Sequence, residues 1–394
     1  MQRKGPLDDL LVLDLSRVLA GPYATMVLAD LGARVVKVET PGTGDDARHF
    51  PPFMGGKSAY FMSLNRGKES IALNLKKKDD CRVFEDLVAR ADILVENFRP
   101  GTMEKLGYGW DNLQRLNPQL IYCAVSGFGH TGPYTKRPAY DMVVQGMGGI
   151  MSVTGYPGSG PTRVGTSIGD ITAGLFGLSG ILAALHDREH HGKGAFVDVG
   201  MLDCQVAILE NAISRYLASG DVPGPLGARH PSITPFEAFA TADGYIIIAA
   251  GNDTLFARLS EAIGEPGMAT DPDFASNTLR TENSERLRAQ VENALAGKPA
   301  SEWLEIIGNA GVPCGPINDI SQVVTDPHVT ARNMIISAHD EAAGDIRMAG
   351  NPIKITGFRD PSERPAAPNL DGDREAIEQL IAERSPISAR STDG

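Results

Sequence analysis

The first forty residues confine the chain to one kind of architecture, because a short apolar run, a helical stretch and a second apolar run follow one another with almost no connecting loop. LLVLDL (10–15) suits a buried strand. Gly21-Pro22 then opens a helix, proline being tolerated in a first turn. Tyr23, Met26, Val27 and Leu31 recur at helical spacing and Gly32 supplies a stop. ARVVKVE (33–39) is the next strand. Two strands joined through one helix run parallel, with a right-handed crossover. The pattern repeats through SIALNL, an amphipathic helix over Lys77–Ala91, DILVE, a short helix over Trp110–Asn117, LIYCAVSG, a long apolar helix at 172–190 and AFVDVG. These strand runs are continuous rather than alternating, as in strands covered on both faces. The expected fold class is α/β, with a large doubly wound Rossmann-like domain.

What the turns lack narrows the function. The first strand-to-helix turn, LSRVLAGP, has no GxGxxG, and no GxxxxGK[ST] occurs, which argues against dinucleotide and P-loop chemistry. A net charge of -12 argues against nucleic acid, so an anionic ligand must be held by local cations. Cys81, Cys123, Cys204 and Cys314 show neither a CxxC nor a histidine pattern, so no metal and no disulfide framework are expected. The N-terminal stretch does not read as a signal peptide. No apolar run reaches the ~18 residues of a membrane span, and ITAGLFGLSGILAAL reads as a core helix. The chain is expected to be cytoplasmic.

SGDVPGPLGARHPS (219–232) concentrates glycine and proline and marks the join to a smaller α+β domain. That domain opens with a hairpin around Ala242-Asp243-Gly244, followed by helices near 253–263, 284–296 and 301–310. IKITGF (353–358) reads as the last strand. The expected division is 1–200 for the large domain's N-terminal part, 201–225 for a linker, 226–330 for the small domain, and 331–394 for a return linker and the rest of the large domain. Stretches 190–230 and 325–350 read as long linkers.

The strongest local feature is VGTSIGDITAGLFG (164–177), where Asp170 follows Gly169 at the start of a small-residue helix. An aspartate there either caps the helix or presents a carboxylate at a turn that a ligand can approach closely. Spacing leaves both readings open. VLDLSRVLAGPYATMVLADLGARVVKVE, SIALNLK, DILVENFRPGTMEKLG, VSGFGHTGP, GDITAG, GVPCGPIND and NPIKITGF, in that order, resemble the class III coenzyme A transferases. The resemblance spans about residues 8–372. GARHPSITPFEAFATADGYIIIAAGN looks most like the members that pass CoA from succinyl-CoA to glutarate and similar dicarboxylates.

The resemblance implies that Asp170 is the covalent nucleophile. It places Leu19, Leu73, Lys76, Asn97, Phe98, Arg99, Lys105, Ala139, Tyr140 and Asp141 along the CoA site. It implies no prosthetic group or metal, coenzyme A thioesters and a small carboxylic acid as substrates, and an interlocked homodimer. Leu19 stands where formyl-CoA transferases carry glutamine, Thr40 where they carry arginine, and AAGND (249–253) where they carry a glycine run. Those departures weigh against formyl-CoA and oxalate, the alternative pair. An α-methylacyl-CoA racemase, the next alternative, needs a histidine where this chain has Tyr140. A dicarboxylate also leaves one carboxylate to be held, for which Arg48 and then His230 are the candidates. Backbone N–H groups of 168–170 and 249–252 are the expected oxyanion donors.

Overall fold

The computed structural model describes residues 5–387. These residues divide into two compact units. The first takes the described residues up to Met151, then Arg163–Asp221, then those from Pro327 on; the second is Ser152–Thr162 with Val222–Asp326.

The first unit is built on a six-stranded parallel sheet. Its strands are β1 (Leu11–Asp14), β2 (Arg34–Glu39), β3 (Glu69–Ala72), β4 (Ile93–Glu96), β5 (Ile121–Ser126) and β6 (Phe196–Gly200), in the order β3-β2-β1-β4-β5-β6. The pleat sends alternate side chains to opposite layers. Val12, Val35, Ile93, Val95, Ile121, Cys123 and Val125 pack with α1 (Ala20–Asp30) on one face. Leu11, Leu13, Val36, Ile71, Leu94, Tyr122 and Ala124 pack on the other face with α2 (Lys78–Val88) and with the helix Arg374–Glu383. Burial on both faces is the physical reason the strands carry no polar alternation.

α3 (Asp141–Met147), α4 (Ile168–His191) and α5 (Met201–Ile208) complete the layer beside α1. α4 is long and apolar enough by composition to cross a membrane, but half of its apolar stretch is buried within this chain. It lies close against α1: a Cβ added at Gly174 would come 2.6 Å from the carbonyl oxygen of Ala20. Within 201–225, expected as a linker that carries a helix over about 201–219 ending at Ser219-Gly220, α5 and the helix Glu210–Ser219 are formed.

The C-terminal expectation needs correcting. IKITGF forms no strand, and Ile353 and Ile355 are both 41% exposed. The strands lie earlier, in Ile335–Asp340 and Gly344–Ala349, which pair antiparallel. Ile336, Ala338, Ile346 and Met348 of that hairpin pack on Ala47, Phe61 and Met62.

The second unit holds the hairpin Phe236–Ala240 with Tyr245–Ala249, joined by Cys314–Pro316. Phe239, Ile246 and Ile248 face helices Asp253–Ala262, Ser284–Leu295 and Ala300–Asn309. Ser152–Thr162 joins this unit, with the N–H of Gly227 donating to the carbonyl of Gly155 at 2.8 Å.

Candidate active site

The strand order reverses between β1 and β4, and the loops leaving these neighbours open a crevice at the carboxyl edge of such a sheet. The two loops are stitched together. Arg17 N–H donates to Asn97 Oδ1 at 2.7 Å, and Asn97 Nδ2 returns a bond to Arg17 O at 2.7 Å. The Arg17 guanidinium lies 5.4 Å over the Phe98 ring. Val18 sits at φ +66°, a conformation that costs a β-branched residue about 1–3 kcal/mol. Its N–H is held by Asp45 Oδ1 at 3.0 Å.

Beneath this edge lies a buried charge network that sequence reasoning missed. Lys37 Nζ reaches Asp45 Oδ2 at 2.9 Å and the Ser16 carbonyl at 2.8 Å. Lys68 Nζ donates to Asp14 Oδ2, Thr25 Oγ1 and Asn65 Oδ1 at 2.8–2.9 Å. Burial alone would raise the Asp14 carboxyl, but Lys37 and Lys68 outweigh it and hold the group below the ordinary carboxylate range. Lys or Asp placed inside otherwise apolar strands, as in LVLD and RVVKVE, was the available signal.

Arg48, expected to hold the unreacted substrate carboxylate, belongs to this network. Its Nε and Nη2 hold both oxygens of Glu39 at 2.8 and 2.6 Å, its Nη1 donates to the Pro368 carbonyl, and its guanidinium stacks 3.8 Å over Phe61. The fork that a substrate carboxylate needs is therefore filled.

Asp170 stands in the first turn of α4, half-buried. The helix start is not capped by Asp170. The buried N–H of Gly169 in that first turn is instead held by Asp141 Oδ1 at 2.8 Å, across 28 residues of sequence. Asp141 Oδ2 accepts from Gln145 Nε2 at 2.7 Å, and Gln145 Oε1 accepts the N–H of Val164 at 3.0 Å. A Cβ at Gly169 would fall 2.7 Å from Val144 Cγ2 and 3.0 Å from Asp141 Oδ1, so only glycine lets the two helices approach this closely. No hydrogen bond or ion pair engages the Asp170 carboxyl among the described residues. Burial, and then the neighbouring Asp141 charge, push its pKa up to about 7. Tyr60 faces the same carboxyls: burial and then Asp170 raise its phenol to about 12. Of the expected oxyanion donors, Ile168 N–H goes to Thr166 O, Gly169 N–H to Asp141, Ala249 N–H to Pro313 O and Ala250 N–H to Pro235 O. Those four are already used.

The carboxyl pair, the crevice and the fold can be set beside known proteins. Residues 7–374 match CoA-transferase family III. The chain belongs to that family. It is 48% identical over 380 residues to an acetyl-CoA:oxalate CoA-transferase of Acetobacter aceti, covering 96% of each chain. It is 39% identical over 397 residues to a succinate–glutarate CoA-transferase of Agrobacterium fabrum, covering 99% of this chain and 98% of that one. A solved CAIB/BAIF family protein of Brucella suis superimposes with a TM-score of 0.84 at 39% identity, over 96% of this chain and 100% of that one.

In this CoA-transferase the residues expected along the CoA site fall at the carboxyl edge of the first unit. Leu19 ends the β1 loop and Leu73 follows β3, both buried. Lys76 lies beyond Leu73 with its N–H on Asn74 Oδ1 and its side chain exposed. Asn97, Phe98 and exposed Arg99 follow β4, and Lys105 ends the one-turn helix Thr102–Lys105. Ala139 lies against the turn after β5, where a Cβ on Gly127 would meet its Cβ at 2.3 Å. Tyr140, 79% exposed, and Asp141 open α3. His230 lies in the second unit, stacked on Phe236 at 5.3 Å with Nδ1 accepting the N–H of Ser232. A cavity of about 1280 Å³ lies elsewhere. It opens at the amino edge beside Arg34 and Glu69, is walled by ion pairs such as Arg66–Asp30 and Lys57–Asp340, and contains none of these residues.

Proposed function

We propose that this enzyme moves CoA from an acyl-CoA to a dicarboxylate, with Asp170 as nucleophile. The observation that carries the reading is a carboxylate without a partner in the first turn of α4, beside a second carboxylate that is occupied in holding the helix start. Asp170 attacks the thioester carbonyl and expels CoA thiolate, leaving an aspartyl–acyl anhydride. The thiolate attacks the aspartyl carbonyl and releases the donor acid, leaving an aspartyl-CoA thioester. The acceptor carboxylate attacks that thioester, the thiolate leaves again, and its attack on the acceptor carbonyl frees acceptor-CoA and Asp170. Each step forms and breaks one acyl bond, the logic of nucleophilic catalysis. A carboxyl raised to about 7 is a stronger nucleophile than an ordinary one and still half ionised at neutral pH.

Succinyl-CoA as donor and a glutarate-like acceptor are the first reading, supported by the segment 228–252 and by the succinate–glutarate relative. Acetyl-CoA with oxalate is the second, favoured by the 48% identity to an enzyme of that name. With Arg48 engaged, Arg163 is the better candidate for the unreacted carboxylate. Its Nη2 stands 3.9 Å from Asp141 Oδ2 and its side chain is 43% exposed. Leu175 and Phe176 of α4, each 43% exposed, support a homodimer in which a second copy covers them. The test is a panel of donors and dicarboxylates run with wild type and Asp170→Ala. Loss of transfer with retained CoA binding is expected, and turnover above a few per cent of wild type in the variant would refute the assignment.

A further inference from the structure

Another buried acid, with no cation beside it among the described residues, lies at the same sheet edge on the face away from α4. Glu96 ends β4 and is 2% exposed. Its Oε2 accepts the N–H of Phe98 at 2.5 Å, and its Oε1 accepts the Tyr122 hydroxyl at 3.0 Å. Tyr122 is 1% exposed and packs against the rings of Trp110 and Phe196, which also touch each other. The Asn97–Phe98–Arg99 loop is thus gripped twice: by Glu96 through its own backbone, and by the Asn97–Arg17 clip with Arg17 lying over Phe98.

Donor and acceptor counting shows which state of Glu96 holds the loop. Ionised, the carboxylate only accepts, and Phe98 N–H and the Tyr122 hydroxyl supply its donors. Protonated, the carboxyl adds a donor, and one proton of the Glu96–Tyr122 pair has no acceptor among these atoms. Phe98 N–H keeps an acceptor in either state, but only the charged state gives it a charge-assisted bond and also pairs the Tyr122 hydroxyl. The groups that face it are Tyr122 and Cys123 from β5, Asp198 from β6, Glu104 from the helix Thr102–Lys105, and Arg17 across the Phe98 ring.

We propose that Glu96 is a positioning residue for the acyl-CoA: its carboxylate fixes the Asn97–Arg99 backbone in the CoA-binding conformation and holds it less firmly on protonation. The proposal rests on the reading of that loop as CoA-lining. Burial, reinforced by Glu104 and Asp198, places the Glu96 titration at about 8. The sign follows: affinity for the CoA moiety rises as pH climbs through that value, whereas turnover follows Asp170 at lower pH.

Binding of desulfo-CoA, which has no thiol to titrate, is measured by calorimetry between about pH 6 and 9 on wild type, Glu96→Gln and Tyr122→Phe, together with KM and kcat for the acyl-CoA. Wild type is expected to tighten by about 3- to 10-fold across the inflection, one charged contact being partly restored. Glu96→Gln should bind weakly with no inflection, and its KM should change more than its kcat. Tyr122→Phe removes a donor to the charged form and should move the inflection to higher pH. Ligand phosphates titrate alike with all three proteins and cancel in the ratios. A Glu96→Gln profile parallel to wild type overturns the proposal. Should that variant not fold, an unmoved inflection in Tyr122→Phe overturns it. Absence of any desulfo-CoA binding to wild type would instead overturn the CoA reading of the loop.

Discussion

Asp141→Asn separates the influence of the second carboxylate from that of burial. Asp141 is the one charged neighbour that raises Asp170, which titrates at about 7. A like charge across about 5–8 Å, at an effective dielectric of about 20–40, is worth about 1–3 kcal/mol; with burial the larger cause of the shift, the Asp141 share is taken as about one pH unit. Removing it makes the Asp170 carboxylate easier to form, so the acid limb of kcat/KM should move down by about one unit. The exchange has a structural consequence too. Asparagine keeps an oxygen for Gly169 N–H, but its amide then opposes the Gln145 Nε2 donor that Asp141 Oδ2 now accepts at 2.7 Å. Turning Gln145 over would break its bond to Val164 N–H. The mismatch should lower stability by about 1–3 kcal/mol. The assay is CoA-thioester exchange, resolved by chromatography, between about pH 5 and 9; this profile reports the free enzyme. A lower acid limb in a less stable protein is the expected pairing. An acid limb that stays at the wild-type pH would refute the role given to the Asp141 charge.

Three further outcomes follow from the same geometry. Arg48→Ala leaves Glu39, whose side chain is 1% exposed, without its fork, so it should destabilise the protein by about 3–5 kcal/mol and lower activity alike for dicarboxylates and acetate. Arg163→Ala should instead cut kcat/KM for dicarboxylates by roughly 30- to 150-fold, the value of one charged hydrogen bond, with acetate little changed; the reverse pattern would return the role to Arg48. Asp170→Asn should raise stability at alkaline pH. The folded carboxyl is raised from 3.8 to about 7, so its penalty grows as pH climbs past about 4 and is complete above about 7. The full shift is worth about 4 kcal/mol, discounted to about 1–2 for a half-exposed side chain. Denaturant midpoints at pH 5 and 8 that show a constant gap between variant and wild type would refute it.

The sheet was legible because both of its faces are buried. Leu11–Asp14, Ile93–Glu96 and Ile121–Ser126 are buried at every position, so they read as continuous apolar runs. The hairpin about Asp243 was legible because its strands lead into a short polar turn. IKITGF misled because apolar alternation is only half of a strand; the other half is a partner, and among the described residues no strand pairs with Ile353 or Ile355. The hairpin Ile335–Asp340 with Gly344–Ala349 was missed because polar and small residues dilute its alternation, and Ser337, His339, Asp345 and Arg347 occupy its outer positions. At the site, Asp170 was readable only through its motif. The bond by which Asp141 holds the helix start joins residues 28 apart, and the engagement of Arg48 was hidden because Glu39, its partner, lies back on β2.

The acids of this carboxyl edge sort into two groups. Asp14, Asp45 and Glu39 are each buried against a cation and held below the ordinary range. Asp170 and Glu96 have no cation within ion-pair distance among the described residues, and both are raised. The fold pairs buried carboxylates readily, since Lys37, Lys68 and Arg48 do so within one turn of the same strands. Two left unpaired at one edge are therefore not explained by packing, because each costs stability that a nearby lysine or arginine would restore. Perturbed carboxyls of this kind concentrate where chemistry needs them. Their difference also fits a division of labour. Asp170 is half-exposed, with no bond to its oxygens, as a group must be if it is to attack a substrate. Glu96 is buried, with both oxygens occupied by the protein, as a group must be if it acts only through the loop it holds.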